Sequence, residues 1–357
     1  MPLVSESSQS SHLNILVFGA GALGTYIGGR LALSGHQVAF IEQEQVASEL
    51  RQRGLRLKLN EQEHHIPTPV VFANVAEALV QDSYDLAVFA LKSYDTQAAL
   101  AALAAYAAKL PPFMCLQNGV ENEPALETVL GVDKVIAGSV TSAIGRRAIG
   151  DIFVEKERGV GIGGGHRLSE RLVTAMREAG LNARLYPRPA DMKWSKMLTN
   201  LPANATSAIL DMTPAEIFAH PGLYRLEVAQ LREALAVMAR QGIGVVDLPR
   251  TPVRALAFAV QRLPVSLSRP ILQRGIGGGR GAKMPSFHID LHSGRGKSEV
   301  DYLNGAVVRY GARLGIPTPA NRLLNETLLA LVRGEQPVDV YSRQPEKLLR
   351  NFSRHTG

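Results

Sequence analysis

The segment NILVFGAGALG at Asn14–Gly24 decides the fold, because a short apolar run leads directly into a glycine-rich turn. In a dinucleotide-binding turn, the first glycine permits the tight turn and the second leaves room for a pyrophosphate beside the backbone. The third lets the following helix pack closely on the strand, and the N-terminus of that helix offers free N–H groups to phosphate. A purely structural glycine turn in an unrelated α/β fold is the alternative. The predicted cofactor-binding residues of the turn are Gly19, Ala20, Gly21, Ala22, Leu23 and Gly24.

The stretch after the turn completes a strand–helix–strand unit. A helix is predicted over Ala22–Ser34 and a second strand over Gln37–Ile41, with Glu42 at its end. An acid at this position commonly accepts a hydrogen bond from the ribose 2′-OH of NAD and repels the 2′-phosphate of NADP. A solvated surface acid is the equal alternative, and Arg51 and Arg53 are nearby residues that could hold a phosphate.

Strand-like and helical segments continue to alternate as far as Tyr186, which predicts a mostly parallel, doubly wound sheet. Ile152–Glu155 and Gly159–Ile162 are predicted to form an antiparallel pair that finishes this sheet. These features predict a dinucleotide-binding Rossmann domain over residues 13–188, after a disordered tail at residues 1–12. The other predicted segments are strands at Leu55–Leu59, Ile66–Phe72, Asp85–Leu91, Phe113–Leu116, Lys134–Val140 and Ala183–Tyr186, and helices at Thr96–Leu110, Glu123–Leu130 and Arg167–Ala179.

After Pro189, apolar residues recur at helical spacing, which predicts an all-α domain over residues 189–345. Residues 263–285 are rich in basic residues, glycine and proline, and we predict a long loop or an inserted arm there. Pro202 predicts a kink in the first of the helices. The predicted helices are Met192–Leu210, Leu223–Gln241, Val300–Leu314 and Asn321–Val332.

Composition limits the function classes. The chain has 357 residues, of which 46% are hydrophobic and 20% charged, as in ordinary soluble proteins of two domains. Apolar runs stay short of the roughly 20 residues that cross a bilayer, and the N-terminus lacks a signal peptide. We therefore expect a cytoplasmic protein that does not bind membranes. The single cysteine, Cys115, excludes an internal disulfide, and no cluster of cysteines and histidines has metal-ligand spacing, so no metal is expected.

The net charge of +7 is concentrated in one segment. Arg250–Ser298 contains nine Lys or Arg residues and one acid, Asp290. A basic segment suits nucleic acid, an anionic substrate or an anionic cofactor. Aromatic residues do not interleave these charges as in binders of single-stranded nucleic acid. A small anionic partner is therefore favoured over nucleic acid.

The segment KMLTNLPAN at Lys196–Asn204 carries the predicted chemistry. A spacing of four places Lys196, Asn200 and Asn204 on one face of a helix. A lysine in a closed site can donate a proton to a developing alkoxide, and the two amides can orient the lysine or the substrate. A solvent-facing polar stripe is the alternative. For Glu299 too, a role in the site competes with simple stabilisation of the following helix dipole.

Together these features resemble the ketopantoate reductase (2-dehydropantoate 2-reductase) family. The resemblance extends from about Asn14 to Val332 and implies a Rossmann domain followed by an all-α domain like that of 6-phosphogluconate dehydrogenase. It further implies an enzyme that reduces ketopantoate, a 2-keto acid, to pantoate with NADPH. The segments that carry it are ILVFGAGALG (Ile15–Gly24), Gly35-His36, Leu91-Lys92, LQNG (Leu116–Gly119), WSKMLTNLPAN (Trp194–Asn204), Pro285-Ser286 with Asp290, SEVDYLNG (Ser298–Gly305) and Thr318-Pro319 with Asn321.

The resemblance also implies roles for individual residues. Lys196 matches the catalytic lysine that donates the proton, and Glu299 matches a glutamate that lines the site and the cofactor. Lys92 and Asn118 match residues near the cofactor and the reacting centre. The matched substrate-binding residues are Asn118, Asn200, Asn204 and Ser286.

Three departures from the family pattern leave alternatives open. Glu42-Gln43 replaces the arginine that binds the 2′-phosphate, so both NADP(H) and NAD(H) remain candidates. The stretch Arg295–Glu299 is one residue longer than usual, and the arm at residues 263–285 is unlike the common form. A different bulky 2-keto acid is therefore an alternative substrate, and a non-catalytic dinucleotide sensor is a second alternative. The family also suggests a homodimer formed through the helical domain.

Overall fold

The computed structural model describes residues 12–277 and 284–356. The tail predicted for residues 1–12 lies outside the described residues except for His12, and so do residues 278–283 of the predicted arm. The described chain forms two compact units. The first comprises the described residues up to Leu91 together with Thr96–Gln117 and Glu123–Pro187. The second comprises Lys92–Asp95, Asn118–Asn122 and the described residues from Arg188 onward.

The first unit is built on a large parallel sheet and a small sheet. The large sheet has eight strands in the order β12-β11-β8-β7-β6-β1-β2-β5, and the small one has the order β4-β3-β10-β9. Neighbours in the large sheet are parallel, except that β11 is antiparallel to β8. The strands are β1 (Asn14–Phe18), β2 (Gln37–Ile41), β3 (Leu55–Leu59), β4 (Gln62–Ile66), β5 (Val70–Phe72), β6 (Leu86–Phe89), β7 (Phe113–Cys115), β8 (Val135–Val140), β9 (Ala143–Ala148), β10 (Asp151–Lys156), β11 (Val160–Gly163) and β12 (Ala183–Tyr186).

This topology confirms the predicted doubly wound sheet but corrects one pairing. The strands predicted as an antiparallel pair, β10 and β11, lie in different sheets: β10 pairs with β9 and β3, and β11 pairs with β8 and β12. Burial explains the difference. All four residues of β11 are buried, as an interior strand of a covered parallel sheet requires. In β10 only Ile152 is buried and the charged end is exposed, which suits the small sheet.

Helices cover both faces of the large sheet. Alternate residues of β1 point to opposite faces: Ile15 and Val17 join one apolar core, and Leu16 and Phe18 join the other. In the second core, the rings of Phe18 and Phe113 lie 5.2 Å apart. The helices numbered in this part of the chain are α1 (Ala22–Leu33), α2 (Glu44–Arg53), α3 (Val75–Gln81), α4 (Thr96–Leu103), α5 (Asn122–Leu130) and α6 (Ser169–Glu178).

The glycine turn between β1 and α1 has the tight packing that its sequence predicts. Gly19 has a φ of +94°, a conformation that L side chains rarely adopt. A Cβ at Gly24 would lie 1.8 Å from the Gly19 carbonyl oxygen, so α1 can approach the turn only without a side chain there. The first and last glycines of the motif are therefore required by the backbone itself.

The second unit is helical in its described residues from Pro189 onward, as predicted. Its helices are α7 (Pro189–Asn200), α8 (Asn204–Leu210), α9 (Pro214–Ala219), α10 (Pro221–Arg240), α11 (Val253–Arg262), α12 (Val265–Leu272), α13 (Ser286–His292), α14 (Val300–Leu314), α15 (Pro319–Val332) and α16 (Pro345–Thr356). A π-helical turn, Gln273–Gly277, follows α12. Within the described ranges, no helix combines the length and the apolarity that crossing a lipid bilayer requires.

The prediction of a loop or arm at residues 263–285 is wrong for much of that segment, because α12 and the π-helical turn Gln273–Gly277 lie within it. In α12, Ser268 and Leu272 are buried, and the Tyr224 hydroxyl donates a hydrogen bond to Ser268 Oγ over 2.5 Å. Pro270 lies inside this helix. Tertiary packing therefore offsets the helix-breaking tendency that dominates the local sequence.

The first helix predicted for this unit is divided into two separate helices, whereas the sequence predicted a kink in one helix. The helix α7 ends at Asn200, Ala203 takes a left-handed conformation with a φ of +54°, and α8 begins at Asn204. Pro202 cannot donate the helical hydrogen bond. The Glu227 carboxylate instead accepts the Ala203 N–H over 2.8 Å. The prediction of one continuous helical face for Lys196, Asn200 and Asn204 is therefore wrong.

The substitution Gly24→Ala is expected to lower the free energy of unfolding by about 3 kcal/mol or more, because its Cβ must displace the backbone of the turn. Gly21→Ala is the matched control, since a Cβ there would meet nothing within 4 Å. Its effect should stay below about 1 kcal/mol. Chemical denaturation of both variants gives the comparison. Equal losses would contradict the backbone constraint at Gly24.

Candidate active site

The glycine turn of the first unit has the features of a pyrophosphate site. Gly21 is the N-cap of α1 and makes no side-chain capping bond, and the first N–H groups of a helix have no partner within the helix. The space beside Gly21 is open, because an added Cβ would have no neighbour within 4 Å. The turn therefore fits the phosphates of a dinucleotide.

Glu42 lies against this turn. Its carboxylate accepts a hydrogen bond from the Ala20 N–H over 2.5 Å, and the side chain is partly buried. Burial raises the pKa of Glu42, although hydrogen bonds from the Ala20 and Gln43 amides and the charge of Arg146 act in the opposite direction. In dinucleotide-binding units, an acid at the end of the second strand commonly accepts hydrogen bonds from a ribose hydroxyl.

The two arginines considered for a phosphate already have protein partners. Arg51 donates from Nε to the Val71 carbonyl over 3.0 Å and contacts Glu44. Arg53 pairs with Glu49 at 3.2 Å and donates to the Ile149 carbonyl. Both side chains are thus engaged within the first unit, and Gln43 is exposed at the end of β2.

The second unit contains a cluster of three charged residues. Lys92 Nζ lies 2.8 Å from Glu299 Oε2 and 3.4 Å from Asp290 Oδ2. The carboxylate side chains are 5% and 11% exposed, and the lysine side chain is 41% exposed. One ammonium group therefore neutralises two acids, of which Glu299 is the more buried.

The pKa values in this cluster follow from burial and charge. Burial by itself would lower the pKa of Lys92, but the nearby carboxylates of Glu299 and Asp290 outweigh this and raise it. Burial raises the pKa of Asp290, against the opposing effect of the Lys92 charge. Lys92 is therefore a fixed cation at neutral pH and a poor proton donor.

Ser93 extends this cluster to the predicted amides. Its N–H and its Oγ lie 3.2 Å and 3.0 Å from Glu299 Oε1, and its Oγ lies 3.0 Å from the Asn118 carbonyl. Asn122 donates to that carbonyl over 2.7 Å. Asn200 on α7 donates to Asn118 Oδ1 over 3.0 Å. A continuous polar network thus joins Glu299 to Asn200, and we call it the Glu299–Asn200 network.

The predicted residues Asn204 and Ser286 form a second contact. Asn204 Oδ1 accepts the Phe287 N–H over 3.1 Å, and Asn204 Nδ2 lies 3.4 Å from Ser286 Oγ. These bonds hold the start of α8 against the start of α13. The Asn204 side chain is buried and Ser286 is exposed.

Lys196, the predicted proton donor, lies on α7 one turn before Asn200 and is partly buried. Residues four apart share a helix face, so Lys196 and Asn200 face the same side. The Thr199 hydroxyl donates to the Lys196 carbonyl over 2.8 Å. The ammonium group is thus carried by the helix face that also presents an end of the Glu299–Asn200 network.

Two residues of the network, Ser93 and Asn122, were missed by sequence reasoning. Ser93 directly follows Lys92, and Asn122 follows Asn118 by four residues, so their positions next to predicted residues were the available signal. Glu299 is the N-cap of α14 and makes no side-chain capping hydrogen bond, so the helix-dipole alternative and the role in the site both remain predictions. Its carboxylate is hydrogen-bonded to Lys92 and Ser93.

The glycine turn of the first unit is typical of proteins that bind a dinucleotide, and many such proteins are oxidoreductases. Comparison with known proteins identifies which kind: residues 15–165 match the ketopantoate reductase PanE/ApbA family, and residues 190–334 match the C-terminal domain of the same family. The chain belongs to the ketopantoate reductase family, whose members are NAD(P)H-dependent oxidoreductases acting on CH–OH donors.

Individual relatives agree with this assignment. The 2-dehydropantoate 2-reductase of Archaeoglobus fulgidus is 28% identical over 326 residues, which cover 90% of this chain and 97% of the relative. A crystal structure of a PanE/ApbA family ketopantoate reductase from Ralstonia eutropha JMP134 has a TM-score of 0.76 at 27% identity, covering 91% of this chain and all of the other. D-mandelate dehydrogenase, solved with NADH and anilino(oxo)acetate, has the same fold, with a TM-score of 0.74 at 22% identity and coverage of 92% and 100%.

The substitution Glu299→Gln is expected to lower the free energy of unfolding by about 1 kcal/mol or more, because Lys92 loses its nearest buried carboxylate. Asp95→Asn is the matched control. Asp95 also pairs with a lysine, Lys297, at 2.8 Å, but both side chains are exposed. Its effect should stay within about 0.5 kcal/mol. Equal effects in chemical denaturation would contradict a special role for the Glu299 pair.

The pH dependence of this difference has a defined sign. The folded-state pKa of Lys92 is raised, so its contribution to stability is fully present below the ordinary lysine pKa of about 10.4. It is lost as the pH rises through the raised value. The difference in unfolding free energy between the wild type and Glu299→Gln should therefore persist across neutral pH and become smaller in strongly alkaline solution.

Proposed function

We propose that this chain reduces ketopantoate, a 2-keto acid, to the 2-hydroxy acid pantoate with NAD(P)H. The observation that carries the proposal is the Glu299–Asn200 network, with Lys196 one turn from Asn200 on the same helix face. The network supplies several amide and hydroxyl groups, and the helix that carries Asn200 also carries a lysine. The family membership supports the reaction class. A small polar anion with a keto group is the ligand that such groups suit.

The reaction adds a hydride to the keto carbon and a proton to the keto oxygen. The bound nicotinamide supplies the hydride. Lys196 donates the proton from Nζ as the carbon–oxygen π electrons move to the oxygen, and it is then reprotonated from solvent. Asn200, held at its amide by Asn118, positions the lysine and the substrate.

Lys92 and Lys196 have different tasks in this mechanism. The carboxylates around Lys92 hold its proton firmly, so it serves as a fixed positive charge toward an anionic ligand. Ser286 and Asn204, which lie next to each other, are proposed to bind the hydroxyl or carboxylate groups of the substrate. The proton donor and the anion-binding cation are thereby separate residues.

For the cofactor, we propose a preference for NADH over NADPH. Glu42 places a carboxylate against the glycine turn, where it can accept hydrogen bonds from ribose hydroxyls and repel a 2′-phosphate. Arg51 and Arg53 are engaged with other groups. A protein of the same fold, D-mandelate dehydrogenase, has been solved with NADH, which is compatible with this choice.

A bulkier 2-keto acid is the second candidate substrate. The segment at residues 263–285, which contains α12, is unlike the common family form in its sequence. D-mandelate dehydrogenase was solved with anilino(oxo)acetate, an aromatic ligand of that protein. Activity assays that combine ketopantoate and an aromatic 2-keto acid with each of the two cofactors distinguish the candidates. Faster turnover of the aromatic acid would replace ketopantoate as the substrate.

The variants Lys196→Ala and Lys196→Arg are expected to lower kcat by roughly 100- to 10,000-fold, the range that general acid catalysis supplies. Arginine keeps the positive charge but does not release its proton, so it separates proton donation from charge. Cofactor binding, followed by nicotinamide fluorescence, should be unchanged. Lys109→Ala, an exposed lysine of the first unit, is the control. Near-normal kcat in Lys196→Arg would refute proton donation by this residue.

The double substitution Glu42→Ala, Gln43→Arg is expected to shift the cofactor preference toward NADPH by at least tenfold. It removes the carboxylate that repels a 2′-phosphate and adds a cation at the exposed end of β2. Fluorescence titrations of the wild type and the variant with both cofactors measure the shift. Tighter binding of NADPH than NADH by the wild type would overturn the proposed preference, while leaving the proposed reaction untouched.

A further inference from the structure

The second unit contains a group of three side chains that can ligate a metal ion, and none of them is used in the proposed mechanism. His288 and His292 are one turn apart on α13, and their rings lie 4.2 Å from each other. Asp211, the C-cap of α8, approaches them, with Oδ1 at 2.9 Å from His288 Nε2. One potential ligand atom from each of the three residues lies within 4.8 Å of the other two.

We propose that Asp211, His288 and His292 form a binding site for a divalent transition-metal ion, with Zn²⁺ as the chemically preferred occupant. Two imidazoles spaced by four residues on a helix bind one ion from the same side, and a carboxylate completes a three-ligand set typical of zinc. Imidazole and carboxylate together disfavour Ca²⁺ and Mg²⁺, which take oxygen ligands. The remaining tetrahedral position would hold water.

The geometry allows this site with small side-chain movements. Zinc bonds of about 2.0–2.1 Å place tetrahedral ligand atoms roughly 3.3 Å apart. The side chain of Asp211 is 52% exposed and that of His288 is 16% exposed, while His292 lies on the surface. The two exposed ligands can rotate toward the more buried His288, so the backbone of α8 and α13 can stay in place.

A metal ion at this place would connect the two helices that carry the proposed substrate residues. Asn204 begins α8 and Ser286 begins α13, and they are already in contact. Asp211 follows the end of α8, and His292 ends α13. A bound ion would therefore tie the far ends of the same two helices together. This consequence for substrate binding depends on the proposed function, but the metal site itself does not.

The spacing of four between His288 and His292 was not recognised in the sequence as that of a metal-ligand pair. The third ligand, Asp211, is 77 residues from His288 in the chain, and only the packing of α8 against α13 brings it near. His288 and Asp211 also form a hydrogen-bonded pair without any metal. The decisive question is whether His292, which is not needed for that pair, contributes to metal affinity.

The test measures Zn²⁺ binding to the full chain, free of any polyhistidine tag, by competition with a chromogenic chelator. The wild type is expected to bind one equivalent. His288→Ala and His292→Ala should each weaken binding at least tenfold, and Asp211→Asn should weaken it less. His65→Ala, which removes an exposed histidine of the first unit, is the matched control and should bind as the wild type does.

Two further measurements keep the result unambiguous. Circular dichroism melting without metal establishes that each variant is folded before its affinity is compared. Co²⁺ in place of Zn²⁺ should give the visible absorption bands of a tetrahedral site in the wild type and not in His292→Ala. Absence of stoichiometric Zn²⁺ binding, or equal affinity of the wild type and His292→Ala, would overturn the proposal. Because no keto acid or dinucleotide is present, failure of the proposed reductase activity cannot produce either outcome.

Discussion

The buried carboxylate of Glu299 is the group on which the arrangement of the candidate site depends. A carboxylate that is only 5% exposed must be neutralised and hydrogen-bonded, or its burial costs several kcal/mol. Lys92 supplies the charge, and Ser93 supplies an N–H and a hydroxyl. Ser93 also contacts the carbonyl of Asn118, and the side chain of Asn118 accepts a hydrogen bond from Asn200. The hydrogen bonds that the Glu299 carboxylate requires therefore determine where Asn118 meets Asn200.

The carboxylate of Glu227 is also buried, and its hydrogen bonds also determine the local structure. It accepts hydrogen bonds from the Ala203 N–H and the Thr206 hydroxyl at the interruption between α7 and α8. The interruption gives Asn204 a direction that a continuous helix would not allow, and Asn204 there receives the Phe287 N–H. In the proposed mechanism, Lys196 and Asn200 on one helix and Asn204 on the next bind different parts of a small ligand.

Local patterns predicted most of the fold and part of the site. The strand–turn–helix around Gly19 and the position of Glu42 depend on residues that are close in the chain, and periodicity reports such structure well. The pairing of β10 and the helix α12 depend on distant packing, which local propensity does not contain. Lys196, Asn200 and Glu299 are predicted as site residues from their motifs, and hydrogen bonds through Asn118 and Ser93 connect the last two. Ser93 is not predicted as a site residue, because a single serine has no distinctive sequence pattern until its hydrogen-bond partners are known.

The membership of Lys92–Asp95 and Asn118–Asn122 in the second unit has a consequence for folding order. The partners of Glu299 are synthesised some 200 residues before it, inside a stretch otherwise belonging to the first unit. During synthesis, Lys92 and Ser93 therefore cannot form their contacts with Glu299 until residue 299 has been added. A fragment that begins at Arg188 would contain the buried Glu299 carboxylate without Lys92 and without the Ser93 hydroxyl. The helical half therefore cannot be moved into another protein as that fragment. Recombination between relatives should consequently respect a boundary that is discontinuous in sequence.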